Sequence, residues 1–341
     1  MMPECLYTRK IVSMDIRLEE INQWVQDDLG INNSTIEPAS SDASFRRYFR
    51  VSSGEGTTII MDAPPDKENC DPFIDITKRL LESGINSPEI VAYQPEKGFL
   101  MLSDLGNTMY LDKLTDGNAD LLYHAAIDSL ITMQIHTDTT DLPEYNDQLL
   151  QQEMELFHNW LVEKHLGLSV DKKWLKATFS FLAQSALDQP QVFVHRDYHS
   201  RNLTWQTGQA PGVLDFQDAV LGPISYDLVS LLLDCYIKWP RDRVVSWLKY
   251  YCETIRQKDP TINFSDAEFI RWFDLMGVQR HLKASGIFAR LWHRDGKKGY
   301  LNDIPRTLSY IIDISGKYPE LKDLKHCLLT KVIPTIKEKQ T

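Results

Sequence analysis

The chain has 341 residues, 43% of them apolar and 25% charged, with modest glycine and proline, which excludes collagen-like, disordered and disulfide-scaffold classes. Acidic residues outnumber basic ones, 48 to 37, for a formal net charge of −11, so no phosphate-coating surface for nucleic acid is expected. Five cysteines stand far apart without a C-x-x-C pair, and the longest apolar stretch, Leu228 to Leu233, is interrupted by Ser230 and falls far short of the roughly 20 residues that cross a bilayer. The N-terminal MMPECLYTRK lacks the continuous apolar run of a secretory signal. A cytoplasmic protein without membrane or obligate protein partners is the expectation.

Residues 1–13 carry no regular pattern and are expected to form a disordered, dispensable extension. From 15 to 29, Leu18, Ile21, Trp24, Val25 and Leu29 recur at helical spacing; alternation over 46–51 and an apolar run over 57–61 then predict a strand pair turning near Gly54 and Gly56. Asp71-Pro72 supplies a cap with proline at the first helical position, opening a helix through Leu81 that Gly84 ends. Short strands over 89–93 and 99–102 complete a small β-rich lobe, 14–103. Beyond Asp104-Leu105-Gly106, apolar residues at three and four spacing predict helices over 119–136, 148–166, 171–187, 240–257, 266–290 and 303–316. This second lobe, 104–341, has one clear β interruption, at 192–194, 202–206 and 212–216. The class is α+β and bilobal, a small β-rich N-lobe followed by a larger, mainly helical C-lobe.

The polar chemistry crowds into that interruption. Asp197 follows a short apolar strand, Asn202 stands five residues later, and Asp215 comes at the end of the next apolar strand. One loop and one hairpin thus aim two carboxylates and an amide at a common point. Oxygen-only ligands suit Mg²⁺, which takes one or two carboxylates and fills its octahedron with water and substrate phosphates. In phosphoryl transfer the remaining task is to position a hydroxyl and accept its proton, which an Asp beside the metal performs. A second H-R-D, His293-Arg294-Asp295, has Tyr300 at the Asn position and no Asp-Phe hairpin after it, so it is structural or substrate-facing.

The H-x-D-x-x-x-x-N loop at His195 to Asn202 and the Leu214-Asp215-Phe216 segment resemble the aminoglycoside phosphotransferase and choline kinase family, relatives of the protein kinases. The resemblance implies a protein-kinase-like fold and use of ATP and Mg²⁺. It makes Asp197 the catalytic base and gives Mg²⁺ to Asn202 and Asp215; His195 supports the loop and Asp227 ties down its backbone. Ser41 to Arg50, Ile60 to Pro65, Gly212 to Ala219 and Gly286 to Arg290 with His293 to Lys297 are similar to the bacterial amino-sugar kinases that phosphorylate N-acetylmuramate and N-acetylglucosamine at C1 in cell-wall recycling.

One departure concerns phosphate binding. The strand that carries a lysine in the wider family reads Thr58-Ile59-Ile60-Met61-Asp62, and the next helix shows Asp75 but no evident glutamate partner. Arg46, with Arg47 in reserve, is expected to supply the cation, alongside Ser44; the adenine is expected against Met101, Ser103 and Leu105. Acceptor contacts are expected from Glu153, Trp160, Arg280, Lys283, Arg290 and Arg294, whose basic members crowd a late helix and suit an anionic sugar. An aminoglycoside or other small-hydroxyl kinase and a nucleotide-binding pseudokinase are the competing readings.

Overall fold

The computed structural model describes residues 15–41 and 45–340; the expected extension, 1–13, and Ser44 lie outside them. Two compact units divide the described residues, one made of 15–70 with 89–104 and one of 71–88 with 105–340.

In the first unit, Asp15 caps Ile16–Gln23 (α1) by accepting from Leu18 N at 3.2 Å, and a π-helical turn, Trp24–Asp28, extends it. Five antiparallel strands, Thr35–Ser41 (β1), Arg47–Ser53 (β2), Gly56–Asp62 (β3), Ile90–Gln94 (β4) and Phe99–Ser103 (β5), lie in the order β1-β2-β3-β5-β4. The register sets Phe49 opposite Ile60 and Ile60 opposite Met101, so these three share one face, which packs on Ile21, Trp24 and Val25. β1 escapes the sequence reading because it is a polar edge strand with Pro38 at a register shift. At the end of β3, the fully buried Asp62 accepts from Arg17 Nε at 2.8 Å and Arg47 Nη2 at 2.6 Å.

The second unit begins with Asp71–Glu82 (α2), a helix that the sequence reading put in the first lobe. Its contacts explain the difference: Phe73 stacks on Phe216 at 5.0 Å, Arg79 donates to the carbonyls of Asp138 and Thr140 at 3.0 and 2.8 Å, and Val213 N donates to Asn86 O just beyond it. Helices Tyr110–Lys113 (α3), Ala119–His136 (α4), Asp147–Leu156 (α5, continued by the π-helical Phe157–His165) and Lys172–Leu187 (α6) precede the strands Gln191–Val194 (β6), Leu203–Thr204 (β7), Gly212–Val213 (β8) and Val220–Pro223 (β9). β6 pairs with β9 and β7 with β8. Tyr226–Leu232 (α7), Arg241–Lys258 (α8), Asp266–Asp295 (α9) and Ile304–Ser315 (α10) follow, then Lys322–Cys327 (α11) and Ile333–Gln340 (α12).

α9 is the spine of this unit. A Ser265/Glu268 capping box opens it and Gly296, at φ +71°, closes it. Gly286 lets it cross α5 where that helix turns π-helical, since a Cβ there would stand 2.2 Å from the Leu156 carbonyl carbon. Among the described residues no helix is long and apolar enough to cross a membrane.

Candidate active site

β6 delivers His195, Arg196 and Asp197 to the mouth of the second unit, and the backbone there is held from below. Asp227, fully buried at the start of α7, accepts from His195 N at 2.7 Å and Arg196 N at 3.0 Å. Burial raises its carboxyl to about 7, and the two N–H donors offset only part of that. Asp227→Ala strands both donors, each costing about 1–3 kcal/mol, so a urea titration is expected to show a loss of about 2–5 kcal/mol. The wild-type contribution also has a pH signature. A folded pKa above the unfolded value of about 3.9 means the folded chain holds the extra proton; this stability is full below pH ~4 and fades as pH rises to ~7. Asp227→Asn is expected to flatten that slope.

Arg196 takes a left-handed φ of +77°, unusual for a residue with a side chain, which turns its guanidinium back onto Glu153 of α5 at 2.5 Å and over the Tyr145 ring at 5.8 Å. Glu153 also holds Lys283 Nζ at 2.9 Å and accepts from Tyr145 Oη, while Lys283 donates to Tyr226 Oη at 2.9 Å. Glu153 and Lys283, expected to face the acceptor, are thus engaged with each other. Both are nearly buried, and a carboxylate taken out of water needs its cations close by. Burial alone would raise the Glu153 carboxyl; Lys283 and Arg196 outweigh it and hold the group below its ordinary value.

Asp197 gains from the same cluster. Burial raises its pKa, but Lys283, His199, Arg280 and Arg196 together bring it below the usual carboxylate value, so it is ionised and ready to accept a proton. Its backbone N donates to His195 Nδ1 at 3.2 Å. Burial pushes the His195 ring down to about 4, leaving it a neutral acceptor that shapes the loop. Ser200, further along, donates through N and Oγ to Asp234 at 3.0 and 2.5 Å.

Asn202 Nδ2 donates to the Asp197 carbonyl at 3.0 Å and to Asp215 Oδ2 at 3.2 Å, and Gln217 Nε2 donates to Asp215 Oδ1 at 2.9 Å. The loop and the hairpin thus meet as expected, although the ladder ends at Val213 and Asp215 lies beyond it at φ +62°. Among the described residues no three His, Cys, Asp or Glu side chains gather as a metal cage. One carboxylate and one amide, both hard oxygen donors, are nevertheless the kind of partial set that Mg²⁺ completes with water and phosphate oxygens.

Beside the loop, Tyr236 carries the Arg201 guanidinium 3.7 Å above its ring, with His199 and Phe288 at 5.4 and 6.3 Å, and Phe288 stacks on Tyr300. Arg280 reaches Cys235 Sγ at 3.8 Å. Of the other expected acceptor residues, Arg294 is bidentate with its neighbour Asp295, Arg290 is half-buried one turn before it, and Trp160 lies under Lys164 Nζ at 4.7 Å.

In the first unit, Arg46 pairs with Glu68 at 3.2 Å, while Arg47 is committed to Asp62 and Asp15. The Met101 side chain belongs to the sheet–helix core, and its backbone lies in β5 between β3 and β4. Ser103 N donates to Glu89 O at 2.9 Å and its Oγ accepts from Glu89 N at 2.8 Å; Leu105, half-buried, opens the second chain segment of the second unit. Sequence reasoning missed Glu68, Tyr145, Tyr226, Asp234 and Tyr236. Only Asp234, the acidic stop to the apolar run 228–233, left a signal.

A loop carrying Asp197 and Asn202 against Asp215 on a mainly helical unit, with a five-stranded antiparallel sheet earlier in the chain, is the architecture of a protein-kinase-like phosphotransferase with a hydroxyl acceptor. The family model described as "Phosphotransferase enzyme family" matches residues 35–261, more than half of the chain, which belongs to that family. The N-acetylmuramate/N-acetylglucosamine kinase of Pseudomonas aeruginosa is 43% identical over 330 residues, covering 93% of this chain and 97% of the relative. The protein of the same name from Neisseria meningitidis serogroup B is 40% identical over 323 residues, with 92% and 95% covered. Among solved structures, ADP-bound aminoglycoside phosphotransferase APH(2'')-Ib has a TM-score of 0.58 at 16% identity, covering 85% of this chain and 97% of its own. Choline kinase LicA from Streptococcus pneumoniae has 0.62 at 12%, covering 87% and 99%; at these identities the two share the fold.

Proposed function

We propose that this protein transfers the γ-phosphoryl group of ATP to the anomeric C1 hydroxyl of N-acetylmuramate or N-acetylglucosamine, giving the sugar 1-phosphate for peptidoglycan recycling in the cytoplasm. The observation that carries this reading is identity of 40–44% across more than nine-tenths of the chain to three curated relatives bearing both sugars in their names, together with an intact Asp197, Asn202 and Asp215. Asp197 accepts the proton of the attacking hydroxyl. Asn202 and Asp215 hold Mg²⁺, which when bound neutralises charge on the phosphate oxygens.

The cations acting on Asp197 weigh against a positively charged aminoglycoside as acceptor. The intact Asp197, Asn202 and Asp215 weigh against a pseudokinase. Phosphorus NMR of reactions with each sugar is the test. A single new phosphate-ester resonance coupled to the anomeric proton is expected, and a phosphate on any other carbon, or none, refutes the C1 assignment.

The Arg46–Glu68 pair supports giving Arg46 the phosphate-binding duty that a lysine-free strand leaves open. Arg46→Ala is expected to raise the ATP KM about tenfold and lower kcat, more than Arg50→Ala, because the loop end of the strand rather than its far end is to meet the phosphate. Lysine at position 46 recovers part of the loss. If alanine at 46 and at 47, tested separately, both leave ATP kinetics unchanged, the relocation is wrong.

A further inference from the structure

Arg280 is a buried charge of the second unit for which the described residues supply no ion pair. It projects from the middle of α9, is only 5% exposed, and among the described residues has no ion pair. Its one hydrogen-bond partner is Cys235 Sγ at 3.8 Å, and its Nε has none. Cys235 cannot serve as counter-ion, because burial pushes its thiol up and keeps it neutral. Asp234 is already engaged by Ser200 N, Ser200 Oγ and Tyr236 N. Neighbouring buried cations are treated differently: Arg196 and Lys283 share Glu153 at 2.5 and 2.9 Å. Asp197 and Asp234 favour the charged form of Arg280 without forming an ion pair with it, and a guanidinium taken out of water with no hydrogen-bonded carboxylate is a standing cost to the fold. Such a cost is retained where a ligand supplies the missing charge.

We propose that Arg280 receives the carboxylate of an acidic amino sugar, so that the acceptor site tells N-acetylmuramate, which bears a carboxylate, from N-acetylglucosamine, which does not. This rests on the amino-sugar reading above. Three observations place the ligand's anion on the acceptor side. Arg280 acts electrostatically on Asp197, the group that must meet the acceptor hydroxyl. Cys235, its contact, adjoins Tyr236, whose ring meets His199, two residues from Asp197. Asn202 and Asp215, on the metal side, are bonded to each other and to Asp197 and Gln217, not to Arg280. Arg290, the other α9 arginine without an ion pair among the described residues, stands ten residues on, about 15 Å along the axis, too far to share the same group.

The test compares the full-length wild type with Arg280→Gln and Arg280→Lys, with ATP, Mg²⁺ and each sugar. The ratio of kcat/KM for N-acetylmuramate over N-acetylglucosamine is expected to fall about 10- to 100-fold in the glutamine variant, the worth of one charge-assisted pair, and to recover in part with lysine. A thermal melt of Arg280→Met separates this from a scaffold role: removing an unpaired buried charge is expected to leave Tm unchanged or higher. A ratio within threefold of wild type, equal losses with both sugars, or a large drop in Tm overturns the assignment while leaving the sugar-kinase reading intact. A wild type that phosphorylates neither sugar overturns both.

Discussion

Asp197→Asn is expected to lower kcat by about 10³–10⁴-fold while leaving ATP binding and the melting temperature close to wild type. The substitution keeps the side chain's size and its backbone bond to His195 Nδ1 but removes the capacity to take a proton. The surrounding cations sharpen the expectation. They hold the Asp197 carboxyl below its ordinary value, so it stays ionised through neutral and mildly acidic pH. The acid limb of kcat/KM is therefore expected below pH ~4, and a limb near neutrality must come from another group. Single-turnover assays with a fluorescent nucleotide separate the two parts of the claim. Wild-type turnover in the asparagine variant would falsify the role of Asp197 as base; loss of nucleotide binding would show that its charge also organises the loop.

Asp215→Ala is expected to act on a different axis, lowering kcat at least about 10²-fold and raising both the ATP KM and the Mg²⁺ concentration needed for half-maximal rate. Its two oxygens accept from Asn202 and Gln217, and its backbone is left-handed at φ +62°. Gln217→Ala, which frees one oxygen to rotate, is expected to give a weaker form of the same phenotype. A magnesium titration at fixed nucleotide reads this directly. A metal requirement unchanged in Asp215→Ala removes Asp215 from that duty.

The parts of the fold that were legible in the sequence are those whose signal is local. α4 spans 119–136 as its spacing predicts, and α6, α8 and α10 begin and end within a residue of expectation, because each carries apolar residues at three and four spacing. α7 gave no such stripe. All seven of its residues are buried, so it read only as an apolar run. β9 was missed because Gly222 and Pro223 signal a break, whereas its ladder with β6 is a contact of long sequence separation.

The site divides in the same way. Asp197, Asn202 and Asp215 stand at fixed spacings within one short stretch, and a short chain segment between them suffices to bring them together. What holds and charges them comes from far away in the chain. Asp227 reaches His195 and Arg196 from 32 and 31 residues on, Glu153 reaches Arg196 across 43, and Lys283 arrives from α9. Composition and spacing did flag Glu153, Lys283 and Arg280 as polar groups near the chemistry, but not which of them would neutralise one another. Burial decided that, because a charge removed from water must find its partner within a few ångströms; Glu153 took Arg196 and Lys283, and only the folded chain reveals that Arg280 was left without one.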